Sequence, residues 1–274
     1  MICAWESLLQ ILPMWIRPEV DKLGRESLLE LRLRSGAEPE LVLVHDVQYL
    51  HGTVREQDLN YSIQAASRYS PWSAETVSQG YITAPGGHRI GICGIAVYKN
   101  GEFSGIRQVT SLCIRVARDI PGVYIGAEER GSLLILGAPG WGKTTLLRDY
   151  VRSRARKETV GVVDERGELF PQGFERGRRM DVLTGAGKAE GIERLLRTMS
   201  PQCIAVDEIT AAGDCNALCH AWGCGVKLVA TAHAASIEEF CERPVYRPLV
   251  QQQIFDCCLI LRQDKSFWVK RMKG

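Results

Sequence analysis

A glycine-rich segment that ends in a lysine and two threonines is the strongest chemical signal in the sequence. Residues 137–145 read GAPGWGKTT and satisfy the pattern G-x-x-x-x-G-K-[ST]. An apolar run precedes this segment and helical spacing follows it, so the glycines fall at a strand-to-helix turn. Glycine there lets backbone N–H groups point inward at a phosphate, and the helix N-terminus adds partial positive charge. The segment predicts a phosphate-binding loop made of Gly137, Ala138, Pro139, Gly140, Trp141, Gly142, Lys143, Thr144 and Thr145.

Two carboxylates at the end of a later apolar run supply what such a loop needs for catalysis. The stretch CIAVDEI predicts a buried strand that ends at Asp207 and Glu208. Lys143 would reach the β- and γ-phosphates, and Thr144 would ligate Mg²⁺ beside Asp207. Successive side chains of a strand diverge, so we expect Glu208 to face the attacking water, the alternative being an exposed acidic strand end. These residues predict ATP and Mg²⁺ as cofactors, and no N-K-x-D guanine motif follows the loop.

Two further segments carry residues that suit the same chemistry. VGVVDERGE places Asp164 and Glu165 at the carboxyl end of a predicted strand, where ligands of open α/β sheets collect. We expect an auxiliary acidic site there, with Asp164 at the metal and Glu165 among the catalytic residues; the alternative is a plain exposed loop. VATAHA places His233 just past another strand end, where an imidazole could bind the γ-phosphate or sense its loss. The alternative for His233 is a structural role.

Phosphoryl transfer also needs positive charge at its transition state, often from an arginine that another subunit or domain supplies. The first half of the chain offers Arg89, Arg107 and Arg115. We take Arg107 as the candidate, although each of the three could be a surface residue. A second Gly-Lys pair, Gly187 and Lys188, lacks the full loop pattern and is interpreted as a loop that opens a helix.

The first half of the chain is mostly strand-like, from about residue 27 to 120, with one predicted helix near 54–70. The stretch LLELRLRSG alternates apolar and charged residues and predicts a strand that buries Leu29, Leu31 and Leu33 on one face. The segment that follows the predicted helix is interpreted as a meander. Its turns are predicted at Pro85-Gly86-Gly87 and Asn100-Gly101.

The second half has a different pattern. From about residue 130 onward, short apolar strands alternate with helical stretches, as expected for a parallel sheet with crossover helices. The sequence therefore predicts an α/β fold: a P-loop NTPase core with a mostly parallel sheet, preceded by a smaller mixed α/β domain. The predicted domains are residues 1–122 and 123–274.

Charge and composition exclude several classes of protein. The 274 residues include 34 basic and 32 acidic side chains, and a formal net charge of +2 gives no strong attraction to nucleic acid, so no nucleic-acid partner is expected. No apolar run approaches the roughly 20 residues that cross a bilayer. The first residues contain Glu6 and lack a basic leader, so we expect a reducing cytoplasm for the ten cysteines. The cluster Cys215, Cys219, His220 and Cys224 lacks the paired C-x2-C spacing of zinc sites, which favours core or helix packing.

The order of the motifs resembles that of the type II and type IV secretion ATPases, which run Walker A, acidic box, Walker B and histidine box. More narrowly, five segments resemble the stage III sporulation protein AA family of endospore-forming bacteria. They are LELRLRSGAEPEL, GAPGWGKTTLLRD, VVDERGE, DVLTGAGKAEGIERLLRTMSPQ, and VDEI followed by TAHA.

This resemblance implies a RecA-like ATPase that assembles as a homo-oligomeric ring, for which we expect a hexamer. The ring would lie at the cytoplasmic face of a membrane channel between mother cell and forespore, with integral membrane proteins as partners. By motif match, Asp207 would serve the metal shell, Glu208 the water and His233 the histidine box. The strand here ends in Asp-Glu where many secretion ATPases have Gly-Glu, which leaves open how Asp207 and either Asp164 or Glu165 divide the work.

Two other functions fit parts of the sequence. In one, ATP binding switches an assembly factor and turnover is incidental. In the other, the protein is a RecA-type nucleic-acid translocase, but the near-neutral charge and the lack of an aromatic and basic platform argue against it.

Overall fold

The structure is a computed structural model that describes residues 3–67, 80–124, 131–171 and 173–272. The chain forms two compact units, each built around its own sheet. The first unit comprises Met1–Asp119 with Pro171–Phe174, and the second comprises Ile120–Phe170 with Glu175–Gly274. The domain boundary at residue 122 stays a prediction, because compactness alone does not establish that either part folds independently.

The first unit combines a six-stranded antiparallel sheet with helices. The strand order is β3-β2-β1-β6-β5-β4. The strands are β1 (Leu28–Arg34), β2 (Glu40–Leu43), β3 (Val47–Tyr49), β4 (Tyr81–Thr83), β5 (Arg89–Lys99) and β6 (Glu102–Arg115). The helices described are α1 (Trp5–Ile11), α2 (Arg17–Leu23) and α3 (Glu56–Ser67), and α3 confirms the helix predicted near 54–70.

The predicted alternation in β1 is correct for Leu31 and Leu33 and wrong for Leu29. Leu31 and Leu33 are fully buried, whereas Leu29 is exposed and its neighbour Leu28 is buried instead. The pairing of β1 with β2 shifts register between Leu28 and Glu30, so a bulge reverses the facing of the first residues of the strand.

Both predicted turns of the meander occur. Pro85–Gly87 forms a short 3-10 turn between β4 and β5. Asn100 and Gly101 join β5 to β6 and have positive φ angles of 54° and 84°, as a two-residue hairpin turn requires.

The second unit holds a seven-stranded sheet in the order β13-β12-β7-β11-β10-β8-β9, parallel except at the β12–β13 pair. Its strands are β7 (Leu133–Leu136), β8 (Val160–Asp164), β9 (Met180–Thr184), β10 (Cys203–Val206), β11 (Lys227–Ala232), β12 (Cys257–Leu261) and β13 (Phe267–Arg271). Its α-helices, numbered on from α3, are α4 (Lys143–Arg154), α5 (Lys188–Met199), α6 (Ala212–Gly223), α7 (Ile237–Glu242) and α8 (Arg247–Gln251).

The central strands of this sheet are apolar throughout because helices cover both faces. Strands β7, β8, β10 and β12 are buried at every position. Separate apolar cores form on the two faces, one around α4 and the other around α5, α6 and α8. The edge strands β9 and β13 are partly exposed, so they lack the continuous apolar run by which the other strands were predicted.

Among the described residues, no helix has the length and hydropathy needed to cross a membrane. Cys215 is buried in the apolar core under α6, and Cys219 packs against that core.

Candidate nucleotide-binding site

The predicted phosphate-binding loop lies between β7 and α4. Gly140 and Gly142 have positive φ angles of 75° and 101°, which are conformations that favour glycine. Gly137 packs so tightly that an added Cβ would approach Leu261 to 3.1 Å. The buried strand and the first turn of α4 therefore hold the two ends of the loop, and its glycines let the backbone curl between them.

Lys143, the first residue of α4, points back into the loop and is 7% exposed. Its ammonium donates to the carbonyl oxygens of Gly137 at 2.9 Å and Ala138 at 3.0 Å, and to His233 Nδ1 at 2.9 Å. Burial lowers the pKa of Lys143, while the carboxylates of Asp207 and Glu208 act in the opposite direction. The lysine is thus held at the mouth of the loop by groups that a phosphate can replace.

Asp207 follows β10 and joins the loop to the neighbouring strand. Its Oδ2 accepts from the Thr144 hydroxyl at 2.7 Å, and its Oδ1 accepts from the Thr231 hydroxyl at 2.5 Å. A threonine hydroxyl beside a carboxylate is an all-oxygen donor set of the kind that Mg²⁺ prefers. Thr144 and Asp207 therefore fit a magnesium ion next to the loop.

Glu208 turns away from Asp207 and toward His233. Strand β10 ends at Val206, so strand alternation does not separate the two carboxylates as predicted. The separation arises because Glu208 adopts a left-handed φ of 56°. Such conformations in residues other than glycine concentrate at functional sites.

His233 connects Glu208 to Lys143. Nδ1 accepts from Lys143, so Nε2 carries the proton and donates it to Glu208 Oε1 in a short contact. For Glu208, burial raises the pKa, but the hydrogen bond from His233 and the charges of Arg166 and Lys143 outweigh it, and the pKa is lowered overall. The Glu208 carboxylate therefore stays ionised.

The acidic segment after β8 divides between two environments. Asp164 is buried, and its carboxylate accepts backbone N–H groups of Glu168 at 2.9 Å, Leu169 at 3.0 Å and Phe170 at 2.9 Å. Burial raises the pKa of Asp164, and these three amides oppose that rise. Asp164 thus shapes the loop after β8, and its metal role stays a prediction.

Glu165, also predicted to be catalytic, is exposed and pairs with Lys188 at 2.5 Å. Lys188 opens α5, as expected for the second Gly-Lys pair, and nine-tenths of its side chain is buried. Both residues line a small open pocket that Arg166, Asp207 and Glu208 also line.

The three arginines considered as transition-state partners all lie in the first unit. Arg115 pairs with Glu30 at 3.6 Å, and Arg89 lies over the Tyr81 ring at 4.3 Å. Arg107, on β6, is exposed, and no ion pair is described for it among the resolved ranges. The role of Arg107 at the site of a neighbouring subunit stays a prediction.

Four residues beside the loop and the carboxylates were not assigned a role from the sequence. Thr231 binds Asp207, Arg166 acts on Glu208, Lys188 holds Glu165, and Lys265 donates to the Gly140 carbonyl at 2.5 Å. Three of them had only their position as a signal in the sequence. Thr231 lies two residues before the histidine of TAHA, Arg166 follows Asp-Glu in VVDERGE, and Lys188 belongs to the second Gly-Lys pair. Lys265 lies in the β12–β13 turn, for which no signal existed.

Known proteins are similar to this chain over most of its length. The family model described as "Sporulation stage III, protein AA" matches residues 5–270. The stage III sporulation protein AA of Bacillus subtilis (strain 168) is 33% identical over 279 residues, covering 94% of this chain and 91% of that protein.

Solved structures show the same fold. The Legionella pneumophila ATPase DotB has a TM-score of 0.61 at 16% identity, covering 95% of this chain and 80% of its own. The pilus retraction motor PilT, solved with bound ADP, has a TM-score of 0.64 at 14% identity, and the match covers 96% of this chain and 78% of the PilT chain. The predicted α/β fold of the secretion ATPases is confirmed, and the chain belongs to the stage III sporulation protein AA family.

Proposed function

We propose that the protein is a Mg²⁺-dependent ATPase that works as a ring in endospore formation. The observation that carries the proposal is the 2.7 Å hydrogen bond from Thr144 to Asp207, which joins the phosphate-binding loop to the carboxylate after β10. A glycine loop alone binds phosphate, but hydrolysis also needs a metal position and a base. Here both carboxylates adjoin the loop.

In this proposal the loop and Lys143 bind the β- and γ-phosphates. The ammonium exchanges its present acceptors, the two loop carbonyls and His233, for phosphate oxygens. Thr144 and Asp207 hold Mg²⁺, which when bound neutralises charge on the phosphates. The buried setting of Lys143 strengthens its attraction to the phosphates, because fewer waters compete for it.

Glu208 is the proposed base. Its ionised carboxylate orients the attacking water and accepts its proton, while His233 Nε2–H fixes the orientation of that carboxylate. His233 also contacts Lys143, so phosphate binding at the lysine and the position of the base are linked through one imidazole. Glu165 and Asp164 complete the acidic side of the proposed site.

Ring assembly and location are parts of the same proposal. The family membership and the secretion-ATPase fold support a hexameric ring at the cytoplasmic face of a membrane, where it powers or gates a channel of integral membrane proteins. Arg107 would enter the nucleotide site of the next subunit and stabilise the transition state. No nucleic-acid partner is proposed, because the balanced charge offers no attraction to phosphodiester backbones.

The test is the ATPase activity per subunit over a wide range of protein concentration, with Glu208→Gln as the blank. Activity that rises with concentration in the wild type, and not in Arg107→Ala, supports a site completed between subunits. Lys99→Ala, which removes an exposed cation from the paired strand β5, is the matched control and should behave as the wild type. Flat activity equal to the blank would contradict the ATPase proposal and favour a nucleotide-switched assembly factor.

A further inference from the structure

Thr231 lies in the middle of the proposed catalytic groups, although nothing in the sequence pattern assigns it a role. It is on β11, between the strand that precedes the loop and the strand that precedes Asp207, and it is fully buried. Its hydroxyl donates to Asp207 Oδ1 at 2.5 Å and accepts from the Glu208 N–H at 2.7 Å. Its backbone carbonyl accepts from the Ile209 N–H at 2.9 Å. One residue thus contacts three consecutive residues after β10.

We propose that Thr231 is a positioning residue that orients the metal carboxylate of Asp207 and the base carboxylate of Glu208 through one hydroxyl. The inference rests on the proposed ATPase function and deepens it. Thr231 touches neither nucleotide nor water in this account and acts only through its two neighbours.

Thr231 and Thr144 together fix the carboxylate of Asp207. A carboxylate on a short side chain can rotate, and its two oxygens must point in defined directions if one of them is to serve a metal ion. Thr144 holds Oδ2 from the loop side, and Thr231 holds Oδ1 from the strand side. Because a hydroxyl group donates a hydrogen bond to each of the two oxygens, rotation of the carboxylate breaks at least one hydrogen bond.

Thr231 also contacts the backbone of Glu208. Its left-handed backbone, with φ of 56°, is unfavourable for a residue with a side chain and needs a compensating contact. The Glu208 N–H finds its acceptor in the Thr231 hydroxyl. A hydroxyl has one proton, and since Thr231 gives it to Asp207, a lone pair is left for Glu208. The two contacts are therefore mutually consistent and set both carboxylates at once.

Two substitutions separate this role from simple packing. Thr231→Val keeps the size and branching of the buried side chain and removes the hydroxyl, whereas Thr231→Ser keeps the hydroxyl. Ser132→Ala is the matched control, because the buried Ser132 hydroxyl also accepts a backbone N–H of β11, from Leu228 at 3.1 Å. Ser132 precedes β7, so it lies at the amino edge of the sheet, away from the carboxylates.

The experiment measures kcat for ATP, and the affinity for ATP with Mg²⁺ and with EDTA, for the full-length wild type and these three variants. We expect Thr231→Val to lower kcat by about 30-fold and to remove most of the gain in affinity that Mg²⁺ provides. Affinity in EDTA should change by less than about 2-fold, since the loop and Lys143 are untouched. Thr231→Ser and Ser132→Ala should stay close to wild type in both measurements.

A Thr231→Val protein with wild-type kcat and wild-type Mg²⁺ dependence would overturn the inference, even if its melting temperature fell. An equal loss of kcat in Ser132→Ala would also overturn it, because the effect would then follow from any buried hydroxyl. If the wild type binds ATP in a Mg²⁺-dependent way without hydrolysing it, the ATPase proposal fails, and the affinities of wild type and Thr231→Val decide the inference. If Mg²⁺ does not change the affinity of the wild type for ATP, both the proposed metal position and the inference about Thr231 fail.

Discussion

The two units each hold one buried or half-buried histidine with the same hydrogen-bond pattern and different partners. In the first unit His88 is fully buried, its Nε2–H donates to the Ala4 carbonyl at 3.0 Å, and its Nδ1 accepts the Ala117 N–H at 3.1 Å. In the second unit the His233 side chain is 30% exposed and joins Lys143 to Glu208. The first imidazole links backbone segments, and the second links ionisable side chains that can bind a ligand.

Sheet topology explains why the two histidines differ in this way. Neighbouring strands of the antiparallel sheet end at opposite edges, so side chains that follow the strands are divided between two places. In the parallel sheet β7, β8, β10 and β11 all end at one edge, and the polar residues that follow them meet there. A polar residue that follows a buried parallel strand is therefore a better signal of a functional site than an equally buried polar residue inside an antiparallel unit.

The largest expected effect comes from Lys143. Lys143→Ala removes the ammonium that contacts the loop carbonyls of Gly137 and Ala138, so we expect ATP affinity to fall by about 100-fold or more, measured by equilibrium titration. Lys227→Ala is the control, because Lys227 begins β11 at the far edge of the sheet and pairs with Glu158. If Lys143→Ala keeps the affinity of the wild type for ATP, nucleotide binding can no longer be assigned to the loop of the second unit.

Substitution of the two histidines tests the comparison directly. We expect His233→Ala to lower kcat by about 10-fold or more with little change in thermal stability, because Glu208 loses the donor that orients it. His88→Ala leaves the Ala117 N–H without its acceptor and the Ala4 carbonyl with the Leu8 N–H alone, and should lower the free energy of unfolding by about 3 kcal/mol.

Both variants are measured by steady-state kinetics and by thermal unfolding, with kinetics taken well below the melting temperature. The expected pattern is a loss of activity in one variant and a loss of stability in the other, with the melting temperature of the His88 variant lower by about 10 °C. Equal losses of activity in the two would show that the histidines are not functionally distinct.

A smaller effect concerns pH. Burial lowers the pKa of His88, and the bond to the Ala4 carbonyl only partly offsets it. In the unfolded chain His88 therefore binds a proton near pH 6.5, whereas in the folded protein it stays neutral at that pH. The free energy of unfolding should fall as the pH drops through that value toward the lowered pKa of the folded state. Denaturant unfolding between pH 7.5 and 5 measures this, and His88→Gln should flatten the dependence. The same slope in His88→Gln and wild type would assign the effect to other groups.

Much of the proposed site follows from local sequence, and its connections do not. The loop, Asp207, Glu208 and His233 could be predicted because each lies beside an apolar strand. The role of Thr231 depends on β11 lying next to both β7 and β10, a strand order that no single segment encodes.

Other features of the structure also depend on contacts that no single segment encodes. Leu29 was assigned to the wrong face because a bulge is a property of the pairing with β2 and not of β1 alone. Residues Pro171–Phe174 group with the first unit although the chain on both sides of them belongs to the second. The Lys188 and Glu165 pair joins residues 23 positions apart, and only the crossover from β8 to α5 brings them together.

The most direct test of the account is the effect of Mg²⁺ on ATP affinity in the wild type and in Asp207→Asn. We expect Mg²⁺ to strengthen ATP binding by about 10-fold or more in the wild type, and Asp207→Asn to remove this gain while keeping its affinity for ATP in EDTA. Equal strengthening by Mg²⁺ in the two proteins would contradict the claim that Thr144 and Asp207 form the metal position of a nucleotide site.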